Sequence, residues 1–356
     1  MRVLSIVGAR PQFVKLGPVS RALRARGIEE VVLHTGQHYD FAMSEAFFRE
    51  LSLPAPDVNL GIAADSPATQ VGAMVPAVAE VVTRVRPSMT IVFGDTSSTL
   101  AGALASAFGR VPVAHVEAGM RSFNRAMPEE LNRVLVDHLA GLLFTASRAA
   151  GENLRAEGLP PGTFVGDVMY DVVKAVQGSA AARGNVLQRF GVCSGQYVLA
   201  TIHRAANTDD ARALEAVLGI LAGLAIPVLF PVHPRTRKAI LNAGLEALLR
   251  GGHVRPLDPT TYFETIALAA GAKRVFTDSG GLQKEAFYLG VPCTTLRSET
   301  EWVETVELGW NVVVGTDTER ALASIDLPRP AAPAANPYGD GTAGERIAAA
   351  VEAWGN

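Results

Sequence analysis

RVFTDSGGLQKEAFYLGVPCTTLR, residues 274–297, reads as strand, tight turn, helix and second strand in one unbroken run, and this reading sets the fold class. Val275 and Phe276 lead into Thr277-Asp278-Ser279, after which Gly280-Gly281 lets the backbone turn sharply with no Cβ in the way. The opening turn of the helix, residues 282–285, presents unpaired N–H groups and a positive dipole end to anything over the glycines. That end is worth roughly 0.3–1 kcal/mol to an anion, and up to about 2 in a sheltered geometry. A diphosphate suits the position, and Glu285, one turn in, suits a ribose as hydrogen-bond acceptor. Taken alone, the stretch also admits a plain strand-to-helix turn.

Working outward, the same alternation recurs. Before it come apolar strands at 197–202, ending in His203-Arg204, at 228–232, ending in His233-Pro234, and at 254–257. Nearer the N-terminus, residues 3–7 form a continuous apolar strand of the kind covered on both faces, and Pro11 stands at the first position of a helix reaching Arg26. Strand 30–34, an amphipathic helix at 41–51 with Phe47, Phe48 and Leu51 at helical spacing, and a helix at 69–85 follow. Strand 89–93 ends in Gly94-Asp95-Thr96 before a small-residue helix at 98–108. Strand 111–116 ends in Glu117-Ala118-Gly119, and Pro128, Glu129 and Glu130 suit the first turn of the next helix. Strands at 142–145 and 163–165 complete this series. The alternation predicts two Rossmann-like, doubly wound parallel-sheet α/β domains facing a cleft. We place the domains at 1–170, joined by the C-terminal helix 343–356, and at 171–342. Gly339, Gly341 and Gly344 match a dinucleotide-fingerprint spacing, but a proline- and alanine-rich connector precedes them where a strand belongs. They read instead as a loop in which Thr342 and Glu345 form a capping box.

With 32 basic against 35 acidic residues in 356, the chain has no charge excess for holding nucleic acid or an anionic membrane, so an anion must be bound by a local constellation. Cys193 and Cys293 lack the spacing of metal ligands or redox pairs, which fits a reduced, cytoplasmic chain. The short apolar start is wrongly flanked for a signal peptide. The longest uncharged run, 217–232, is broken by Pro227 and Pro231 and reads as a helix end followed by a buried strand.

Ligands of open α/β sheets bind beyond the carboxyl ends of the strands. Arg10, Asp95, Glu117, His203, His233 and Asp278-Ser279 all fall there, with Arg10 and Lys15 flanking the start of the first helix. Each has a plainer reading: Asp95 as a helix cap, Glu117 as a satisfied carboxylate, the histidines as structural, Arg10 and Lys15 as solvated charges. No HExxH and no close pair of candidate ligands points to a metal, and no GxSxG elbow points to a serine nucleophile. Carboxylates and imidazoles beside a diphosphate suit proton movement at carbon and help a phosphate leave.

The runs GARPQFVK (8–15), GDTSSTL (94–100), HVEAGMR (115–121), MPEELNR (127–133), HR (203–204), TDSGGLQ (277–283) and NPYGDG (336–341) resemble the non-hydrolysing UDP-N-acetylglucosamine 2-epimerase family, in family order over nearly the whole chain. The resemblance implies a GT-B-like fold with the last helix crossing back onto the first domain, a homodimer, and no redox cofactor. It implies epimerisation by expulsion of UDP across the first and second sugar carbons, through a 2-acetamidoglucal, and a place in supplying surface-polysaccharide precursors. Asp95, Glu117 and Glu129 match the family's acidic catalytic positions and His203 its histidine, while the order of acid and base stays open. Arg10, Lys15 and His203 are assigned to the diphosphate, Ser279, Gly280, Gly281 and Glu285 to phosphates and ribose, and His233 to substrate binding.

Two runs depart from the commoner family pattern. Thr300-Glu301-Trp302-Val303-Glu304 stands where many members carry Thr-Glu-Arg-Pro-Glu, and Gln37-His38 is followed by Tyr-Asp-Phe-Ala-Met, so allosteric activation is not carried over. The tryptophan and the GARPQF opening are similar to the branch acting on UDP-2,3-diacetamido-2,3-dideoxyglucuronate, whereas the loop 121–124 is shared with simple UDP-N-acetylglucosamine epimerases. Outside the epimerases, the competing readings are a GT-B glycosyltransferase and a catalytically silent nucleotide-sugar binder.

Overall fold

The computed structural model describes residues 1–37, 55–63, 66–177, 180–250 and 252–355. The helix expected at 41–51 and the run after Gln37 lie outside them. The chain divides into two compact units, residues 1–174 with 335–356, and residues 175–334.

Among the described residues, the first unit holds seven strands: β1 (Arg2–Val7), β2 (Glu29–His34), β3 (Val58–Asn59), β4 (Met89–Phe93), β5 (Val113–Ala118), β6 (Leu142–Thr145) and β7 (Thr163–Phe164). All pair in parallel, in the order β3-β2-β1-β4-β5-β6-β7. The apolar residues of β1, interrupted by Ser5, serve both faces. Val3 and Val7 join Phe13, Leu16 and Leu23 of the helix Arg10–Ala25 on one side. Leu4 and Ile6 join Val78 and Val82 of Pro67–Val85 and Leu100 of Ser97–Phe108 on the other. Full burial of such side chains contributes about 1.5–3 kcal/mol each.

The helix Ala343–Gly355 packs Ile347 and Val351 into the same cluster as the first helix. Gly344 permits that approach, since a Cβ there would lie 2.7 Å from the Pro18 backbone. Its cap differs from the expected Thr342/Glu345 box. The Asp171 carboxylate accepts from Ala343 N (3.0 Å) and Gly344 N (2.8 Å), and the Thr342 hydroxyl donates to Asp340. Burial pushes the Asp171 carboxyl up to about 6 from an ordinary 3.8, with Asp167 and Asp340 adding to the rise against the two amide donors. A carboxyl raised by folding contributes stability that is present below its unfolded value and lost as pH rises through the folded one. At about 1.4 kcal/mol per unit, the loss between about pH 4 and 7 is on the order of 3 kcal/mol, and Asp171→Asn is expected to abolish it. Thermal denaturation across that window checks this, and an unaltered pH profile in the variant would count against it.

The second unit holds β8 (Val198–Thr201), β9 (Val228–Pro231), β10 (Val254–Leu257), β11 (Arg274–Thr277), β12 (Cys293–Thr295) and β13 (Asn311–Val313), parallel in the order β10-β9-β8-β11-β12-β13. Alternate residues again face opposite helix layers. Val198, Ala200 and Phe276 meet Leu214, Val217 and Leu221 of Ala211–Gly223. Leu199 and Val275 meet Leu268 of Tyr262–Gly271, and Leu282 and Ala286 of Gly280–Tyr288. The uncharged run 217–232 is a helix end followed by β9. Among the described residues, no helix is long and apolar enough to cross a membrane.

Candidate active site

Strand order reverses between β1 and β4 in the first sheet and between β8 and β11 in the second, and such switch points open crevices for ligands. Arg10, Asp95, His203 and Asp278-Ser279 follow those strands, and Glu117 and His233 lie one strand away, on β5 and after β9.

In the first unit, Thr96, not Asp95, caps the helix Ser97–Phe108, its hydroxyl accepting from Thr99 N. This removes the plainer reading of Asp95, whose Oδ2 instead meets Arg133 at 2.5 Å while its side chain stays about one-third exposed. Glu117, the penultimate residue of β5, stands at φ +75°, where the pairing of β5 with β6 slips between Val116 and Ala118. A non-glycine residue held there costs on the order of 1–3 kcal/mol and marks a place where direction outweighs comfort. Its carboxylate meets Lys15 Nζ at 2.6 Å, with both side chains nearly buried. Lys15 also approaches β4: a Cβ built on Gly94, which sits at φ +62°, would lie 3.0 Å from its Nζ. Lys15, assigned to a diphosphate from the resemblance, thus has Glu117 as its partner in this structure.

The helix Pro128–Leu139 carries adjacent glutamates with different environments. Glu130 is 2 % exposed and accepts from Ser122 N, Ser122 Oγ, Phe123 N and Arg133, so it pins the 121–124 loop. Glu129 is partly exposed. The same helix contributes Asp137 to a network whose His115, Asp137 and Arg121 are buried and whose Glu157 is partly exposed. His115 Nδ1 meets Asp137 Oδ1 at 2.7 Å, Asp137 Oδ2 takes Arg121 (2.8 Å) and Gly119 N (3.0 Å), and Arg121 also forks onto Glu157. Burial alone would raise the Asp137 carboxyl, but the His115 and Arg121 donors hold it below its ordinary range.

In the second unit, Thr201 pairs with Thr277 at the last register position, placing His203 beside Asp278. Asp278 is fully buried and accepts from His203 N (3.0 Å), Arg204 N (2.9 Å) and Asn207 Nδ2 (3.1 Å), and His203 Nδ1 stands 3.5 Å from its Oδ1. His203 is about one-third exposed. The His233 ring lies 5.7 Å from that of His203 and caps the helix Pro234–Ala243, its Nδ1 accepting from Arg235 N. Ser279 caps Gly280–Tyr288 through Leu282 N. A Cβ on Gly280 would stand 3.4 Å from Trp302 Nε1, so the bare backbone leaves room under that indole. Glu285, 5 % exposed, accepts from the Tyr262 hydroxyl at 3.0 Å. Trp302 is buried with the Lys284 ammonium 4.0 Å from its ring centre, a cation–π contact.

The residues named from sequence therefore gather in two sets, with Lys15, Asp95, Glu117 and Glu129 on one unit and His203, His233, Ser279, Gly280, Gly281 and Glu285 on the other. Arg10 opens the first helix of the former. Sequence reasoning passed over Gln12, Asn132, Arg133, Asp137 and Tyr262, which orient those groups from other elements. Only the motif runs around them gave any signal. Among the described residues, no three His, Cys, Asp or Glu side chains gather as a metal site.

The profile of the family described as UDP-N-acetylglucosamine 2-epimerase matches residues 21–352. A UDP-N-acetylglucosamine 2-epimerase homolog of Methanococcus maripaludis is 45% identical over 98% of each chain. The UDP-2,3-diacetamido-2,3-dideoxy-D-glucuronate 2-epimerase of Pseudomonas aeruginosa is 42% identical, again over 98% of each. The crystal structure of Methanocaldococcus jannaschii UDP-GlcNAc 2-epimerase in complex with UDP-GlcNAc and UDP superposes with TM-score 0.92 at 38% identity, covering 99% of this chain and 100% of that one.

Proposed function

The chain belongs to the UDP-N-acetylglucosamine 2-epimerase family, and from that premise we propose that it inverts the second sugar carbon of UDP-N-acetylglucosamine, giving UDP-N-acetylmannosamine without net hydrolysis. A carboxylate of the Asp95, Glu117 and Glu129 set removes the proton at the second carbon. The C–H electrons form the double bond to the first carbon, and the bond to the diphosphate oxygen breaks with its electrons on UDP. The 2-acetamidoglucal then takes a proton on the opposite face of the second carbon as the diphosphate oxygen rebonds to the first. His203 and Arg10 stabilise the departing diphosphate, and Lys15 does so while steadying Glu117. Ser279, Gly280 and Gly281 hold the phosphates at a helix start, Glu285 takes the ribose, and His233 contributes to substrate binding.

One observation carries this reading: the Lys15–Glu117 and Asp95–Arg133 pairs stand at the strand ends beside one sheet's switch point, while a glycine-opened helix start beside an Asp–His pair occupies the other's. Incubation with UDP-N-acetylglucosamine alone in heavy water is expected to give the manno epimer with deuterium at the second carbon. Retained hydrogen together with dependence on a sugar acceptor would favour a glycosyltransferase, and tight binding with no exchange a silent binder. A second substrate, UDP-2,3-diacetamido-2,3-dideoxyglucuronate, is favoured by Trp302 and by the 42%-identical relative. The same experiment with that compound separates the two. Supply of surface-polysaccharide precursors in the cytoplasm follows as the setting.

We further propose a homodimer. Leu131 and Leu135, one turn apart on Pro128–Leu139, are 49% and 51% exposed, an apolar pair that a second copy would cover. Replacing both by glutamate is expected to yield monomers in sedimentation, and an unshifted dimer would place the interface elsewhere.

A further inference from the structure

The turn that carries Asp95 has an unusual hydrogen-bond distribution. Three consecutive carbonyls, those of Phe93, Gly94 and Asp95, each accept from a buried side chain on a different element. Gln12 of the first helix donates Nε2 to Phe93 O at 2.8 Å, with Thr99 Oγ1 on the same oxygen at 2.7 Å. His115 of β5 meets Gly94 O through Nε2 at 2.7 Å. Asn132 of Pro128–Leu139 donates Nδ2 to Asp95 O at 2.9 Å. The three side chains are 1 %, 0 % and 8 % exposed.

Two of the donors are themselves held from behind. Gln12 Oε1 accepts from Gly8 N (2.7 Å) and Ala9 N (3.0 Å), which assigns the amide so that nitrogen faces Phe93. His115 Nδ1 is gripped by Asp137, and because Gly94 O can only accept, Nε2 must carry a proton. Asn132 is the neighbour of Arg133, which fixes the Asp95 carboxylate from the other side. Gly94, at φ +62° in this turn, has the widest backbone freedom of any residue, so these donors select one conformation among several open to it.

We propose that Gln12, His115 and Asn132 are positioning residues that lock the 93–95 turn and so preorganise Asp95 for proton transfer. The inference rests on the reading of Asp95 as one of the proton-handling carboxylates. None of the three needs to touch the substrate. A misplacement of about 1 Å at such a group can cost on the order of a hundredfold in rate.

Two readouts test it on the full-length protein. The first is amide hydrogen exchange at residues 94–97, which needs no turnover. The second is kcat and KM for deuterium entry at the second sugar carbon. His115→Asn keeps a donor for Asp137 but cannot reach Gly94 O, His115→Gln sets an amide nitrogen near the Nε2 position, and Asn132→Leu keeps shape without a donor.

The expected result is at least about tenfold faster exchange in that turn for His115→Asn and Asn132→Leu. It is accompanied by a kcat lowered about 30- to 100-fold, KM within about threefold of the parent, and substantial recovery in His115→Gln. Unchanged exchange, loosened exchange with undiminished kcat, a loss confined to KM, or a glutamine variant no better than asparagine would each overturn the proposal. Should one histidine variant fail to fold, Asn132→Leu alone decides. A parent protein inert toward both nucleotide sugars would sink the functional reading instead, and the clamp would then stand or fall on the exchange data.

Discussion

Glu117→Gln is expected to lower turnover about a thousandfold, the larger part of the 10²- to 10⁴-fold range of general acid–base catalysis. Glutamine keeps the length of the side chain and can still accept from Lys15, but it can neither take nor return a proton. Two features mark Glu117 as directed rather than merely accommodated. It tolerates φ +75° at the irregular end of β5, and its carboxylate is aimed at the Lys15 ammonium, which also reaches the Gly94 turn. Deuterium entry at the second carbon should fall in step with epimer formation, because both need the same proton removal. A loss of stability on the order of 3–5 kcal/mol accompanies a Lys15 charge left without its counter-charge, so circular dichroism must establish that the variant is folded at the assay temperature. Were Glu117 only a structural partner of Lys15, a folded Glu117→Gln would retain most of its turnover.

The second large effect is expected at His203. His203→Asn should reduce kcat about 10²- to 10³-fold, the range found when a preorganised donor to developing negative charge is removed. The main-chain bond from residue 203 to Asp278 survives the substitution, so the β8 end stays in place. What disappears is the imidazole, about one-third exposed and backed by the buried Asp278 carboxylate. If it acts on the departing diphosphate, the loss should fall on kcat while affinity for UDP itself, measured calorimetrically, weakens only several-fold. An affinity loss as large as the rate loss would reduce His203 to a ground-state binder.

Much of this architecture is legible in residue order. The strands read at 89–93, 142–145 and 254–257 agree to the residue with β4, β6 and β10. Buried parallel strands and their glycine-ended turns write their signature in local apolar runs. The strand read at 111–116 runs instead from Val113 to Ala118 and takes in Glu117, because the irregular pairing near Val116 allows a charged residue to remain in the strand. The short β3 and β13, of two and three residues, leave too brief a pattern to read. Capping was also misread from local chemistry at the last helix. Thr342 and Glu345 have the right spacing, but Asp171, 172 residues from Ala343, reaches its first amides.

Residue order by itself therefore determined the parallel α/β class, the set of polar residues at strand ends and the family likeness carried by its motif runs, because periodicity and turn chemistry act within a few residues. Only the tertiary structure decided which of those groups meet: Lys15 with Glu117, Arg133 with Asp95, Asp278 beside His203, and the donors that hold the 93–95 turn. Gln12 and Phe93 are 81 residues apart, and a hydrogen bond at that separation depends on strand order and register, quantities to which no local pattern of side chains is sensitive.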